Sequence, residues 1–245
     1  MPVNCHITVT EMCEWGGMNT MKRYAIYYAP PAGEFATRAA QWLGWDVVDG
    51  CAAPQPALDG VDLDAATRTP RKYGFHATIK APFRLADGRS ADDLAEAVDR
   101  LAGHLRPVAL PALRFDRIAG RFLALRPDGN EGDLRLFAAE VVARLDSFRA
   151  PLSEAEIARR NPAALTPRQR ELMGAFGYPY VLEEFHFHLT LSGDLPPETL
   201  DLLEPAARDW FAPVLPKPFQ IGDLCLFGED MEGRFHLLSR HALTG

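Results

Sequence analysis

YGFHATIKAPF at residues 73–83 and EFHFHLTLSG at residues 184–193 are two versions of one pattern. Each sets a His-x-Thr triplet, His76 with Thr78 and His188 with Thr190, into alternating apolar residues. In a β-strand the side chains of residues i and i+2 point to the same face. His76, Thr78 and Lys80 are therefore expected on one face of the first strand, opposite Phe75, Ala77 and Ile79. In the second strand His186, His188, Thr190 and Ser192 oppose Phe185, Phe187, Leu189 and Leu191. Each strand should bury its apolar side and present an imidazole and a hydroxyl together on the other.

Working outward, the pattern belongs to an internal repeat. His76 and His188 are 112 residues apart, and a Gly-Arg-Phe triplet at Gly120 recurs at Gly233, an offset of 113. Each half reads strand, helix, long insert, His strand, helix, two strands. Apolar spacing and capping residues predict helices over residues 34–43, from Ser90 onward, over 133–145 and over 197–211. Strands are predicted over 24–29, 108–118, 121–125, 219–227 and 234–238, and a loop over 49–69. The segment 150–180 departs from the repeat: it carries Pro151, Pro162, Pro167 and Pro179, and two short helices, 153–160 and 167–176, with Ser153 and Thr166 as caps. The expected fold is α+β, bilobed and duplicated, with two antiparallel-sheet lobes and outer helices around a central cleft. The lobes are expected at about 21–126 and 127–245, after an N-terminal extension, residues 1–20, that is expected to be disordered.

Composition narrows the function classes. A chain of 245 residues with 47% hydrophobic residues can bury a sizeable core. A net charge of −7 argues against a broad basic footprint for duplex nucleic acid, yet leaves room for a small phosphorylated substrate. Cys5, Cys13, Cys51 and Cys225 form no C-x-x-C pair, which suggests a reduced, cytoplasmic protein without a disulfide framework. No run of 18 apolar residues marks a membrane helix, and the first 20 residues lack a secretory signal's basic and apolar regions.

Two imidazoles facing one cleft suit acid–base chemistry near neutral pH, one taking a proton from an attacking water or hydroxyl, the other giving one to a departing oxygen. In-line displacement at phosphorus fits this arrangement. The hydroxyls of Thr78 and Thr190 would donate to the non-bridging oxygens, where charge grows in the transition state. An activated ester such as a strained cyclic phosphate needs no metal for this, and no cofactor is expected.

The paired His-x-Thr strands in a duplicated α+β chain resemble the two-histidine (2H) phosphoesterase superfamily, which includes RNA ligase-type cyclic phosphodiesterases. YGFHATIKAPF, the GYPY of residues 177–180 and FHFHLTLSG resemble an uncharacterised branch encoded with phosphonate-utilisation genes. The resemblance covers nearly the whole chain, from about Met21 to Arg240. It implies a bilobed fold with a central cleft, metal-independent hydrolysis or transesterification, and catalytic roles for His76, Thr78, His188 and Thr190. Substrates of the broad superfamily are 2′,3′-cyclic nucleotides, RNA ends and ADP-ribose cyclic phosphate. For this branch no substrate is implied; a small phosphorylated or cyclic-phosphate compound is favoured over an RNA end.

Other residues keep two readings. Lys80 extends the polar face towards substrate or is a strand-end charge. Arg159 and Arg160 bind phosphate through their fork geometry or solvate a helix. Tyr178 and Tyr180 stack on a base or pack the loop, and Tyr73 belongs to the core or a turn. His186 is a rim neighbour of His188; the two would chelate zinc if His76 or a carboxylate completed the set. The rival classes are accordingly a metal-dependent hydrolase and a non-catalytic nucleotide- or phosphate-binding domain.

Overall fold

A computed structural model describes residues 21–245, so the expected N-terminal extension lies outside the described residues. Among the described residues, nine strands form three sheets, accompanied by seven α-helices. The first half of the chain runs β1 (Arg23–Tyr28), α1 (Glu34–Leu43), α2 (Leu63–Arg71), β2 (Ala77–Phe83), α3 (Ala91–Ala102), β3 (Val108–Leu110), β4 (Ala112–Ile118), β5 (Phe122–Asp128). The second runs α4 (Gly132–Arg144), α5 (Glu154–Arg159), α6 (Pro167–Phe176), β6 (Leu189–Thr190), α7 (Pro197–Phe211), β7 (Phe219–Ile221), β8 (Asp223–Glu229), β9 (Phe235–Ala242).

All named strand pairs are antiparallel, as expected from the sequence. Their order, β2-β1-β8-β9 and β4-β5-β6, does not follow a division of the chain near residue 126. The C-terminal hairpin β8–β9 completes the sheet of the first His segment. The hairpin β4–β5 from the first half holds the second His segment through β6. Each half thus lends its last two strands to the other half's histidine. The short equivalent strands β3 and β7 pair directly with each other, Ala109 opposite Gln220. Exchange of this kind binds the halves together, so neither sheet is complete without both.

The helices follow from local chemistry. Ser90 caps α3 in a reciprocal box with Asp93, and Leu94, Val98 and Leu101 are buried along one stripe. Ser153 and Thr166 cap α5 and α6 as their sequence context predicts. Helix α2 falls where a loop was expected. Its Pro70 and run of polar residues hide the helical period, but Asp62 accepts from the amide of Ala65, and Leu63, Ala66 and Pro70 turn inward. Pro111 and Gly222 split each long predicted strand into two, β3 from β4 and β7 from β8.

The central strand β1 is buried on both sides. Tyr24, Ile26 and Tyr28 enter the main core with Trp42, Phe187 and Phe219, while Ala25 and Tyr27 join a smaller cluster with Trp45, Phe227 and Phe235. Each such fully buried large side chain contributes about 1.5–3 kcal/mol relative to exposure. Among the described residues, no helix is long and apolar enough to cross a membrane.

Candidate active site

His76 lies just ahead of β2, on a turn fixed by Gly74. Gly74 has φ +69°, and a Cβ there would meet Val47 Cγ1 at 1.9 Å, so only glycine fits this turn. The turn aims the Gly74 carbonyl at His76 Nδ1, 2.9 Å away. A carbonyl can only accept, so in this bond Nδ1 carries the proton and Nε2 keeps the lone pair. Thr78 Oγ1 lies 3.3 Å from that Nε2. The ring of Tyr27 stacks on the imidazole, with centroids 3.9 Å apart and planes 25° from parallel.

The second histidine repeats the local device. His188 Nδ1 is 2.9 Å from the carbonyl of His186, again two residues back. Its Nε2 is likewise left as the acceptor. Leu189 and Thr190 pair with Leu125 and Ala124 of β5, and the Phe122 ring lies 6.1 Å from the imidazole, centroid to centroid. The alternation predicted for this stretch holds: Phe185, Phe187, Leu189 and Leu191 are buried, and His186 is exposed. Ser192, at the end of the same run, is buried; its hydroxyl accepts from the Leu123 amide and donates to the Gly193 carbonyl.

Both imidazoles are held towards the neutral form. Burial lowers the pKa of His76 to about 4, against the opposing pull of the Gly74 carbonyl, and the charge of His188 lowers it further. Burial also lowers His188, with smaller contributions in the same direction from Arg126 and His186. Burial disfavours the charged form of a base.

His76, Thr78, His188 and Thr190 line one cleft of about 620 Å³. Arg159, Arg160 and Tyr178 line it as well, contributed by the insert that closes one side. Of its two readings Tyr178 meets that of packing the loop, against the small cluster of Val142, Leu172 and Val181, while its side chain also lines the cleft. Tyr73 and Tyr180 reach the same cleft.

Lys80 corrects the sequence reading. Strict alternation places it beside His76 and Thr78, but Tyr27 pairs with Thr78 while the next residue back, Ile26, pairs with Lys80. One step along β1 spans two along β2, so Ile79 is a bulge residue and the faces exchange beyond it. Lys80 therefore shares the Ile26 face, is 2% exposed, and bonds Asp146 at 2.9 Å and the Val142 carbonyl at 3.2 Å. It is a structural ion pair, away from the cleft.

Sequence reading also passed over Tyr27 and Gly74. Tyr27 sits in a strand with both faces apolar, which leaves no periodic signal. The glycine two residues before His76 was a legible sign, but its left-handed conformation shows only in the fold. Among the described residues no group of three or more His, Cys, Asp or Glu side chains is placed to hold a metal ion.

A protein family described as "Protein of unknown function (DUF1045)" matches residues 78–236, well over half of the chain. The chain is 32% identical over 222 residues to a "Ribose 1,5-bisphosphate phosphokinase PhnN" of Janthinobacterium sp. (strain Marseille), covering 87% of this chain and 49% of that protein. A protein of the same name from Laribacter hongkongensis (strain HLHK9) is 33% identical over 175 residues, 71% of this chain and 40% of that protein. The chain thus spans about half the length, or less, of these curated relatives. Among solved structures, "Crystal structure of E.coli LigT complexed with 3'-AMP" matches at 17% identity and a TM-score of 0.43, over 92% of this chain and 99% of that one.

Proposed function

The chain belongs to the DUF1045 family, and for this member we infer a metal-independent phosphoesterase that opens a cyclic phosphodiester by His/His acid–base catalysis. The observation that carries this reading is the repeated local geometry: two histidines in one cleft, each donating Nδ1–H to the carbonyl two residues back and each presenting Nε2.

In this reading His76, the imidazole held at about pKa 4, is the general base. Its Nε2 takes a proton from water as the oxygen attacks phosphorus. The P–O bond on the far side breaks, and His188 gives its proton to the leaving oxygen. The products are a phosphomonoester and a free hydroxyl. The bound anion raises the pKa of His188 and so loads the acid on substrate binding. Thr78 and Thr190 donate to the non-bridging oxygens as negative charge builds there.

The name of the curated relatives specifies a kinase, but the 245 residues contain no G-x-x-x-x-G-K-[S/T] phosphate loop. We assign that activity to the part of those proteins outside the match. Their substrate supports a phosphorylated ribose as the class of compound handled here, and their name supports the link to phosphonate metabolism.

The test is to offer purified protein 2′,3′-cyclic nucleotides, ribose cyclic phosphates and ADP-ribose cyclic phosphate in the presence of a chelator. Monoester release should persist in chelator and disappear in His76→Ala. Activity lost in chelator and restored by zinc or manganese would replace this reading with that of a metal-dependent hydrolase.

A further inference from the structure

Arg160 is a cation in the cleft to which the acid–base scheme gives no role. It follows the last turn of α5, and its guanidinium lies 4.9 Å from the centre of the Tyr178 ring. Its Nε is buried and has no hydrogen-bond partner among the described residues. Nearby charges do not neutralise it. Arg23 lines the cleft too but is bound by both oxygens of Glu229. The nearest acid in sequence, Glu156, is taken up by Arg84 and by the amide and hydroxyl of Ser153. Arg159, beside Arg160 on the cleft wall, adds a second positive charge. Burial, with Arg159 and Arg23 close by, holds the Arg160 pKa below its ordinary value.

A half-buried guanidinium packed among like charges is unfavourable unless an anion completes it. The position of the cluster relative to the histidines suggests which anion. Arg23 and Tyr27 lie on one side of β1, four residues apart, about 13 Å between their Cα atoms. Tyr27 is the residue stacked on His76. Arg160 is near enough to Arg23 for the two charges to act on each other, which sets the arginine cluster at the Arg23 end of the cleft. Arg matches phosphate through its planar fork of donors.

We propose that Arg160, with Arg159 and Tyr178 beside it, binds a second phosphate of the substrate, a terminal monoester separate from the reacting phosphodiester. The substrate class is then a sugar cyclic phosphate that also carries a phosphomonoester. The reacting half of this statement rests on the phosphoesterase reading; the anion subsite does not.

Two measurements separate them. The first compares kcat/KM for adenosine 2′,3′-cyclic phosphate with that for its 5′-phosphorylated form. The added phosphate should raise kcat/KM by roughly 10- to 100-fold, the range for hydrogen bonds to a charged group. In Arg160→Gln that ratio should fall close to one, with a smaller loss in Arg159→Gln. The second measures binding of ribose 5-phosphate by calorimetry, which needs no turnover. Its affinity should drop by roughly 10-fold or more in Arg160→Gln, with the melting temperature held near that of the parent. Equal kcat/KM for the two nucleotides, or equal losses on both in Arg160→Gln, would overturn the proposal. So would failure of the parent protein to bind ribose 5-phosphate. No hydrolysis of either nucleotide, with Arg160-dependent binding of ribose 5-phosphate intact, would retain the anion subsite and sink the phosphodiesterase reading alone.

Discussion

The two histidine segments share a local plan and differ in everything around it. Both imidazoles donate Nδ1–H to the carbonyl two residues back, at 2.9 Å in each case. Around His76, however, the support is rigid: a seven-residue strand, a stacked tyrosine 1% exposed, and a glycine turn jammed against Val47. Around His188 the ladder is two residues long, and the residue supplying the carbonyl, His186, is exposed. Identical motifs can therefore carry different chemistry. The backbone contact sets the tautomer, and the surroundings set how strongly the charged form is resisted.

The largest effect should come from the imidazoles. His76→Ala and His188→Ala should each lower kcat by roughly 10²–10⁴, and the double variant by less than the product of the two. A p-nitrophenyl ester, whose leaving group needs no proton, should rescue His188→Ala far better than His76→Ala. Equal rescue of both would remove the assignment of base and acid.

Replacing Gly74 should come next. In Gly74→Ala the new Cβ collides with Val47, the carbonyl moves, and kcat should fall by about 10-fold or more, with a cost in stability of about 1–3 kcal/mol for the strained conformation. His186→Ala supplies its carbonyl from the backbone unchanged, so it should alter kcat only a few-fold. A larger loss in His186→Ala than in Gly74→Ala would break the comparison.

Thr78→Val and Thr190→Val keep strand preference and remove the hydroxyl. Each should lower kcat by about 10- to 100-fold at little cost to KM, because the hydroxyls act on charge that develops in the transition state.

Stability against pH sharpens the comparison from the other side. In the unfolded chain His76 titrates near its ordinary value of 6.5, and in the fold near 4. Between those values the unfolded state binds more protons, so the contribution is complete above about 6.5 and is lost as pH falls towards 4. Denaturant titrations at pH 7 and pH 5 should show this loss, and His76→Leu should flatten it. His188→Leu should flatten it less, as expected for the segment with the weaker support.

The smallest effect on catalysis should be that of Lys80. Lys80→Met takes one partner from Asp146, which keeps Arg149, and should destabilise the fold by about 1–3 kcal/mol with KM unchanged. A raised KM at full stability would restore it to the cleft.

Much of this was readable in one dimension. Apolar alternation around His188 and capping residues such as Ser90, Ser153 and Thr166 report on contacts within a few residues, and these formed as expected. The matched offsets of the His-x-Thr and Gly-Arg-Phe triplets carried the duplication. Helix α2 was hidden because its evidence is an Asp62 cap and burial against α1, not a clean period. The face of Lys80 was misread because a bulge is an event between two strands, and alternation within one strand cannot register it.

The sequence by itself determined the pair of histidine triplets, their repeat, the helices with strong caps and the apolar faces beneath them. These depend on chemistry spaced two to four residues apart. Only the tertiary structure decided that the hairpins change partners between halves, that Tyr27 covers His76, that Lys80 turns away, and that the Arg160 Nε, in the same cleft, has no hydrogen-bond partner among the described residues. Each of these is set by strand register or by burial among segments far apart in the chain, and burial fixes both the resistance of an imidazole to charge and the cost of an unpaired cation.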